Sequence, residues 1–417
     1  MSMAAHSPQE PCKETGVQWL GQIPESWEVR RFRFLCSITT GGRNTEDKEQ
    51  GGHYPFFVRS QTPERISSYA YDGEAILTAG DGAGVGKIYH YINGKFDFHQ
   101  RVYKFSDFNE VAGKYLFHYL SVNFASVALL GTAKSTVDSL RLPLIQDFPV
   151  AFPKDKNAQI AIVNFLDDKC EKIDEAVRIK EAQIALLRER RQILIQEAVT
   201  RGLNPDAPMK DSGIDWIGEI PAHWELKRSK HLLNERNERS KTGEEPLLMV
   251  SQVHGLVVRA DFHSKAEVSA SNIDNKIVYE NDLVFNKLKA HLGVFFKSNI
   301  ADPGIVSPDY AVYTPSGGIA DSKFFELLFR HPAYIAQFIV RATGIVEGLI
   351  RLYTSDLFDI HVAVPPVNEQ TEIITYADEV SEKLNRAITL KQDQITALKE
   401  YKTSLINAAV TGKIKVI

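Results

Sequence analysis

Three cysteines, Cys12, Cys36 and Cys170, stand in 417 residues, and neither a Cys-x-x-Cys pair nor a Cys/His cluster accompanies them. An odd, scattered set excludes a disulfide framework, argues against a structural zinc site and fits a reducing compartment. Long hydrophobic runs are missing too: no stretch approaches the ~18 apolar residues of a membrane helix. The start, Met1 to Gly16, lacks a basic lead and an apolar core, so no signal peptide is expected and a cytoplasmic location is the default. Neither sign of charge dominates. Lys and Arg number 49 against 53 Asp and Glu, a net charge of -4, so no global field points to nucleic acid or membrane. A local basic face remains compatible with that balance. What is present is ordinary for a globular chain: 43% hydrophobic, 24% charged and 10% aromatic residues. At roughly 150 residues per domain, the length suggests two or three domains.

Internal repetition carries most of the information. Gly16-Val17-Gln18-Trp19-Leu20-Gly21-Gln22-Ile23-Pro24-Glu25-Ser26-Trp27-Glu28 returns as Gly213-Ile214-Asp215-Trp216-Ile217-Gly218-Glu219-Ile220-Pro221-Ala222-His223-Trp224-Glu225. The offset is 213 − 16 = 197, and all four tryptophans lie in the two copies. A second repeat follows each copy. Residues 159–200 and 370–411 both read as one long helix, at an offset of 370 − 159 = 211, closing in Ala198-Val199-Thr200 and Ala409-Val410-Thr411. The stretch between motif and helix has therefore grown by 211 − 197 = 14 residues in the second copy. These stretches, the bodies, match weakly: Val58-Arg59-Ser60-Gln61 resembles Val250-Ser251-Gln252, and 71–77 resembles 279–285. Each body closes with an extended apolar run and proline, at Pro153 and at Pro365-Pro366. A duplicated fold with divergent loops suits recognition of two different things.

Both helices carry a seam with alternating steps of four and three, the heptad pattern of a coiled coil. The first seam runs Leu166, Cys170, Ile173, Val177, Lys180, Ile184, Leu187, Arg191, Leu194, Ala198. The second runs Ala377, Ser381, Leu384, Ile388, Lys391, Ile395, Leu398, Lys402, Leu405, Ala409. Prolines precede the helices and Gly202 and Gly412 follow them, as helix stop signals do. Lys180 matches Lys391 and Arg191 matches Lys402. Such charges would be costly in a buried seam. Either their stems lie along the seam while the heads reach water or an acidic neighbour, or they set register. About 40 residues make a helix of roughly 60 Å. One such helix cannot bury its own seam, so the two are expected to pack on each other, antiparallel if a pseudo-twofold axis relates the halves. Half-sites one turn apart on B-DNA are separated by about 34–36 Å, within reach of such a spacer.

The duplicated Trp-x-Gly-x-Ile-Pro-x-x-Trp-Glu motif, the divergent bodies and the two long helices together resemble the specificity (S) subunits of type I restriction-modification systems. The resemblance runs from Gly16 to Ile417. Its most specific parts are Gly213 to Glu225, Val364 to Gln370 at the start of the second helix, and the ending before Gly412. The first helix departs at its start, where residues 152–159 lack a Glu-Gln pair and carry one extra residue. The resemblance implies an α+β fold: two pseudo-symmetric target recognition domains separated by two long antiparallel coiled-coil helices. The partition it implies is an N-terminal tail (1–15), a first target recognition domain (16–153), a first spacer helix (154–202), a linker (203–212), a second target recognition domain (213–366), and a second spacer helix with C-terminal tail (367–417). It further implies that each domain reads one half of an asymmetric, bipartite site on double-stranded DNA, while the helices fix the unread spacer. The subunit itself would be non-catalytic. Two modification subunits docked on it would methylate adenine N6 with S-adenosylmethionine, and restriction subunits would supply ATP-driven translocation and Mg-dependent cleavage. No cofactor or metal would be bound by this chain.

Chemistry within the chain finds little support. Gly80-Asp81-Gly82-Ala83-Gly84-Val85-Gly86-Lys87-Ile88 invites a phosphate-loop reading, but Asp81 stands where glycine is needed and Ile88 where Ser or Thr is needed. A glycine-rich turn between strands is expected instead, with Lys87 near its tip. Pro308-Asp309 followed by Asp321-Ser322-Lys323 matches a loose pattern of metal-dependent nucleases, yet Asp321-Ser322 also reads as the N-cap of a helix over 323–330. No Asn-Pro-Pro-Tyr-like adenine methylase motif occurs. Two rivals to the recognition reading therefore stand open: a nuclease built on Asp309, Asp321 and Lys323, and a scaffold whose bodies bind proteins.

Base edges call for Arg, Lys, Asn, Gln and similar groups on loops, and phosphates for Lys, Arg, Ser and Thr. Candidate DNA-binding residues in the first body are Arg43, Asn44, Arg59, Gln61, Lys87, Arg101, Lys134, Ser135 and Thr136. In the second body they are Ser251, Gln252, His254, Lys287, Lys289, His291, Tyr310 and Arg351. Loops 40–45, 80–87 and 131–137, and their counterparts 250–255, 286–293 and 345–351, hold most of them. Phe56, Phe57, Tyr89, Tyr91, Phe295 and Phe296 lie in apolar strand-like runs and are expected in the core. Trp19, Trp27, Trp216 and Trp224 read as structural or as a docking surface for partner subunits, because identical residues cannot distinguish two different half-sites.

Overall fold

The computed structural model describes residues 11–128, 139–251, 254–262, 272–343 and 351–416. The chain divides into two compact units, Met1–Glu181 with Lys391–Ile417, and Ala182–Leu390. Each unit thus holds one motif, one body, the start of one long helix and the end of the other. Among the described residues no helix is long and apolar enough to cross a membrane.

In the first unit the repeated motif forms a hairpin, Cys12–Glu14 against Gln22–Pro24. Its turn is set by Gly16 and Gly21, both at positive φ, +72° and +65°, which side chains with a Cβ rarely adopt. The Lys13 ammonium donates to the backbone carbonyls of Glu25 and Trp27, at 2.9 and 2.5 Å, and closes the loop. The second unit repeats this with Met209–Asp211 against Glu219–Pro221 and Lys210 on Ala222 and Trp224. The hairpins therefore begin four residues ahead of the glycines at which the motif becomes legible. Cys12–Glu14 and Met209–Asp211, which the sequence reading placed in a tail and a linker, belong to them. Three-residue strands without apolar alternation leave no periodic signal.

The strand Trp27–Arg31 then pairs antiparallel with Pro149–Pro153, the run that closes the body. Its counterpart, Glu225–Arg228, pairs with His361–Val364. The first body is a six-stranded sheet in the order Ser37–Thr40, Val102–Ser106, Tyr71–Ala79, Tyr89–Phe98, Tyr54–Phe57, Glu64–Ile66. The second body keeps four strands in the corresponding order: Leu233–Glu235, Tyr310–Pro315, Leu283–Asn286, Phe295–Lys297. Its two further antiparallel pairs, Leu248–Ser251 with Gly255–Val258 and Lys276–Val278 with Gly304–Val306, stand outside that sheet. Phe56, Phe57, Tyr89, Phe295 and Phe296 are buried as expected, and Tyr91 is half-buried with its hydroxyl donating to Glu74. The glycine-rich stretch is the expected turn, joining Tyr71–Ala79 to Tyr89–Phe98.

The long helices run Lys156–Arg201 and Val367–Val410. A buried glutamine ties each start to its body. The Gln159 amide donates to the Pro153 and Glu110 carbonyls, and the Gln370 amide to the Pro365 and Gly318 carbonyls. Each helix end meets a motif tryptophan: Gly412 lies beside Pro24 and Trp27, and Gly202 beside Trp224 and Glu369. Within the first unit Lys402 pairs with Asp174 at 2.7 Å and Lys180 donates to Gln394 at 2.7 Å. Within the second, Arg191 donates to Asn385. Partners on one helix rise as those on the other fall, so in each unit the helices run antiparallel. The heads of Lys180, Arg191 and Lys402 leave the seam for polar or acidic groups on the opposite helix.

Candidate nucleic-acid interface

In the first body the loops at one end of the six-stranded sheet converge. Arg43 bridges to His99, and the Gln100 backbone N–H donates to the Arg43 carbonyl at 2.8 Å. The Gln100 side-chain amide donates to Asn44 Oδ1 at 2.6 Å. Arg43 Nε lies 3.3 Å from the buried Asp97 carboxylate, which also accepts from Ser68 at 3.1 Å. Gly80 donates its N–H to the Arg101 carbonyl, and Asp81 bridges to Ser139. The Asp81 carboxylate accepts from Arg59 and from Arg101, each at 2.7 Å. Burial pushes the Asp81 carboxyl upward, but the two guanidinium groups outweigh it and hold it below the ordinary carboxylate range. Gln61 and Lys87 are exposed on the neighbouring turns.

Two histidines brace this end. His90 Nε2 lies 2.9 Å from the Ser60 carbonyl, and His99 Nδ1 accepts the Arg101 N–H at 3.0 Å. Burial lowers both imidazoles; the Arg59 and Arg101 charges lower His99 further, against Asp81. His99 therefore stays neutral, as an accepting Nδ1 requires. Arg43, Asn44, Arg59, Gln61, Lys87 and Arg101 form one set of loops. Lys134, Ser135 and Thr136 lie outside the described residues.

In the second body the matching end of the sheet gathers Lys287, Tyr310 and Arg351. Tyr310 stands opposite Asn286, and the Lys287 carbonyl accepts the Leu352 N–H at 3.1 Å. Arg351 donates to Asp309 at 2.8 Å, and Lys287 lies 3.8 Å from Glu235. Glu235 also pairs with the buried Lys276 at 3.4 Å. Burial, then the charge of Lys287, pulls the Lys276 ammonium below its ordinary value. Lys289 is exposed on the following turn. Ser251 and His254 occupy a separate hairpin turn, where Ser251 Oγ accepts the His254 N–H at 3.2 Å and the His254 ring lies 4.7 Å from Phe262. Gln252 and the His291 side chain lie outside the described residues.

The groups that the sequence reading missed are acids: Asp81, Asp97 and Glu235 each hold a candidate cation. Asp81 had a signal, an acid between two glycines at a strand end. Asp97 and Glu235 had none, because only the fold brings them to their partners.

The nuclease alternative loses its geometry. Asp309 precedes Tyr310, opposite Asn286, and is held by Arg351. Asp321 bonds Lys297, opposite Leu283, and accepts the Lys323 N–H at the start of the helix Lys323–Leu328. Asn286 and Leu283 are three residues apart on one strand, about 10 Å, so the two acids serve opposite ends of it. Lys323 pairs with Glu326 instead. Among the described residues no group of three or more His, Cys, Asp or Glu is placed to hold a metal ion.

The tryptophans divide into two kinds. Trp27 and Trp224 are buried within their own units, so as docking candidates they are corrected to core residues. Trp224 is also anchored, its Nε1–H donating to Glu369 at 3.1 Å. Trp19 stacks flat on Phe148 at 5.6 Å and stays partly exposed; Trp216 meets Tyr334 edge-on at 5.0 Å.

This architecture has relatives. A chain from a structural study of complex assembly and conformational transition in the type I restriction-modification system superposes with a TM-score of 0.67 at 14% identity, covering 94% of this chain and 99% of that one. The HsdS subunit from Thermoanaerobacter tengcongensis superposes with a TM-score of 0.53 at 14% identity, over 96% of this chain and all (100%) of the other. The fold is thus of the HsdS class. In sequence, residues 24–185 match the type I restriction modification DNA specificity domain. The Escherichia coli type I restriction enzyme EcoDI specificity subunit is 23% identical, over 88% of this chain and 86% of that protein. The Methanocaldococcus jannaschii MjaVIII specificity subunit is 21% identical, over 95% and 94%. Over most of its length the chain is thus similar to the specificity subunits of type I restriction-modification systems.

Proposed function

We propose that the two bodies are target recognition domains, each reading one half of an asymmetric, bipartite site on double-stranded DNA. The chain is the DNA specificity subunit of its system. The observation that carries the finer reading is the common strand order of two sheets whose loop ends carry different cations: arginines on Asp81 in one, lysines on Glu235 in the other. A shared frame with divergent ends suits two similar docking tasks with different sequences to read. On this reading Arg43, Asn44, Arg59, Gln61, Lys87 and Arg101 face one half-site, and Lys287, Lys289, Tyr310 and Arg351 the other. The paired helices act as an antiparallel coiled-coil spacer between the half-sites. Two modification subunits dock on the chain, Trp19 and Trp216 offering the motif faces left exposed, and restriction subunits join them. S-adenosylmethionine, ATP and Mg serve those partners, and this subunit performs no chemistry itself.

Exchanging residues 30–150 for those of a related specificity subunit tests the reading. The map of N6-methyladenine in the host is expected to change in one half of the motif only. A change in both halves, or in neither, contradicts it.

A further inference from the structure

Asp81 stands between Gly80 and Gly82 and receives one hydrogen bond from each of two arginines. Nη1 of Arg59 donates to Oδ1 and Nη1 of Arg101 to Oδ2, both at 2.7 Å. The two bonds use the same nitrogen of each guanidinium. Nε and Nη2 of both side chains have no partner among the described residues. The arginine side chains keep 39% and 58% of their exposure, while Asp81 keeps 16%. The acid is largely enclosed while its two partners stay exposed.

A carboxylate that holds one terminal nitrogen restrains rotation of the guanidinium plane and leaves an edge of two parallel donors, Nε and Nη2. Two parallel donors match O6 and N7 of guanine in the major groove. Phosphate also accepts such an edge, but there charge matters more than aim. The shared acid cancels about one of the two positive charges while fixing the direction of both planes, an arrangement suited to reading bases. Each Asp81 oxygen already accepts one guanidinium bond, which ties the acid to its two partners. In the second body Glu235 lies between Lys276 and Lys287, whose ammonium groups carry no paired-donor edge.

We propose that Asp81 is a positioning residue that presents Arg59 and Arg101 as a pair of guanine readers for one half-site. This rests on the two-half-site reading above.

The test maps N6-methyladenine in cells carrying the full chain with its modification subunits, as wild type, Arg59→Ala, Arg101→Ala, Arg59→Lys and Asp81→Asn. The wild-type motif is expected to contain guanines in the half assigned to the first body. Each arginine-to-alanine variant should lose discrimination at one guanine, by roughly five- to 150-fold. Arg59→Lys should behave like Arg59→Ala, because charge without the paired edge does not read guanine. Asp81→Asn should relax both positions while the other half stays fully specified, which shows that the protein is folded. Should Asp81→Asn remove methylation altogether, the three arginine variants decide. Wild-type fidelity in Asp81→Asn overturns the proposal. So does a uniform loss across all sites in the alanine variants with rescue by Arg59→Lys, the signature of phosphate contacts. A wild-type map with no bipartite motif overturns the two-half-site reading itself, an outcome distinct from these.

Discussion

Tyr115 shows how single residues couple distant parts of the chain. Its ring is fully buried, and its hydroxyl lies 2.9 Å from the Ala151 carbonyl and 2.9 Å from the Val410 carbonyl. One proton serves both oxygens, so the closing strand of the body and the end of the second long helix meet at one atom. Burial pushes this phenol well above its ordinary range, and it remains a donor at any working pH. Tyr115→Phe keeps the ring and removes the donor, leaving two buried carbonyls short of a partner. The expected loss is about 1–3 kcal/mol of stability, read from urea midpoints followed by tryptophan fluorescence. An unchanged midpoint would show that both carbonyls find other donors. Nothing in the sequence marks Tyr115, because its partners lie 36 and 295 positions away. Asp81, by contrast, was visible as a misfit in a glycine-rich turn, although its two arginines were not.

The long helices were the most legible elements. Every seam position from Leu166 to Ala198 and from Ala377 to Ala409 is buried or half-buried, as a regular four-three alternation requires. The strands were less legible. Period-two patterns marked Tyr89–Phe98, but the short motif hairpins had too few residues to show a period. The polar seam positions were legible as exceptions, and the fold supplied what pattern could not: Asp174, Gln394 and Asn385 as their opposite numbers. Because the seam repeats every seven residues, inserting one heptad into each helix preserves its phase and lengthens each by about 10.5 Å. On the spacer reading, the unread gap in the methylated motif should widen by about three base pairs, at 3.4 Å each, with both half-sites unchanged. Altered half-sites would mean that the helices shape the reading loops. A four-residue insertion in one helix alone breaks the phase and should cost stability first.

At the scale of the whole chain, five histidines share one bias. His90, His99 and His118 in the first unit, and His331 and His361 in the second, all lie below their ordinary value, with burial as the largest cause in each. His118 keeps this direction although Asp167 lies 3.3 Å away and favours the charged ring. A histidine that resists protonation when folded takes up its proton more readily when unfolded. The unfolded chain therefore binds more protons below about pH 6.5, the ordinary histidine value. Their contribution is fully present above that value and is lost as pH falls through the lowered native values. Asp81 and Asp107 are lowered too, so their contribution persists above the ordinary carboxylate range and is lost only at more acid pH. Stability should accordingly hold steady from pH 8 to 7 and then decline in two stages, histidines first and carboxylates after. Two tryptophans in each unit make fluorescence a report on both. His118→Gln should make the first stage shallower in the unit that carries it, with His90 and His99 supplying the rest. An upper stage unchanged in that variant would mean that the Asp167 contact cancels the effect of burial on the ring.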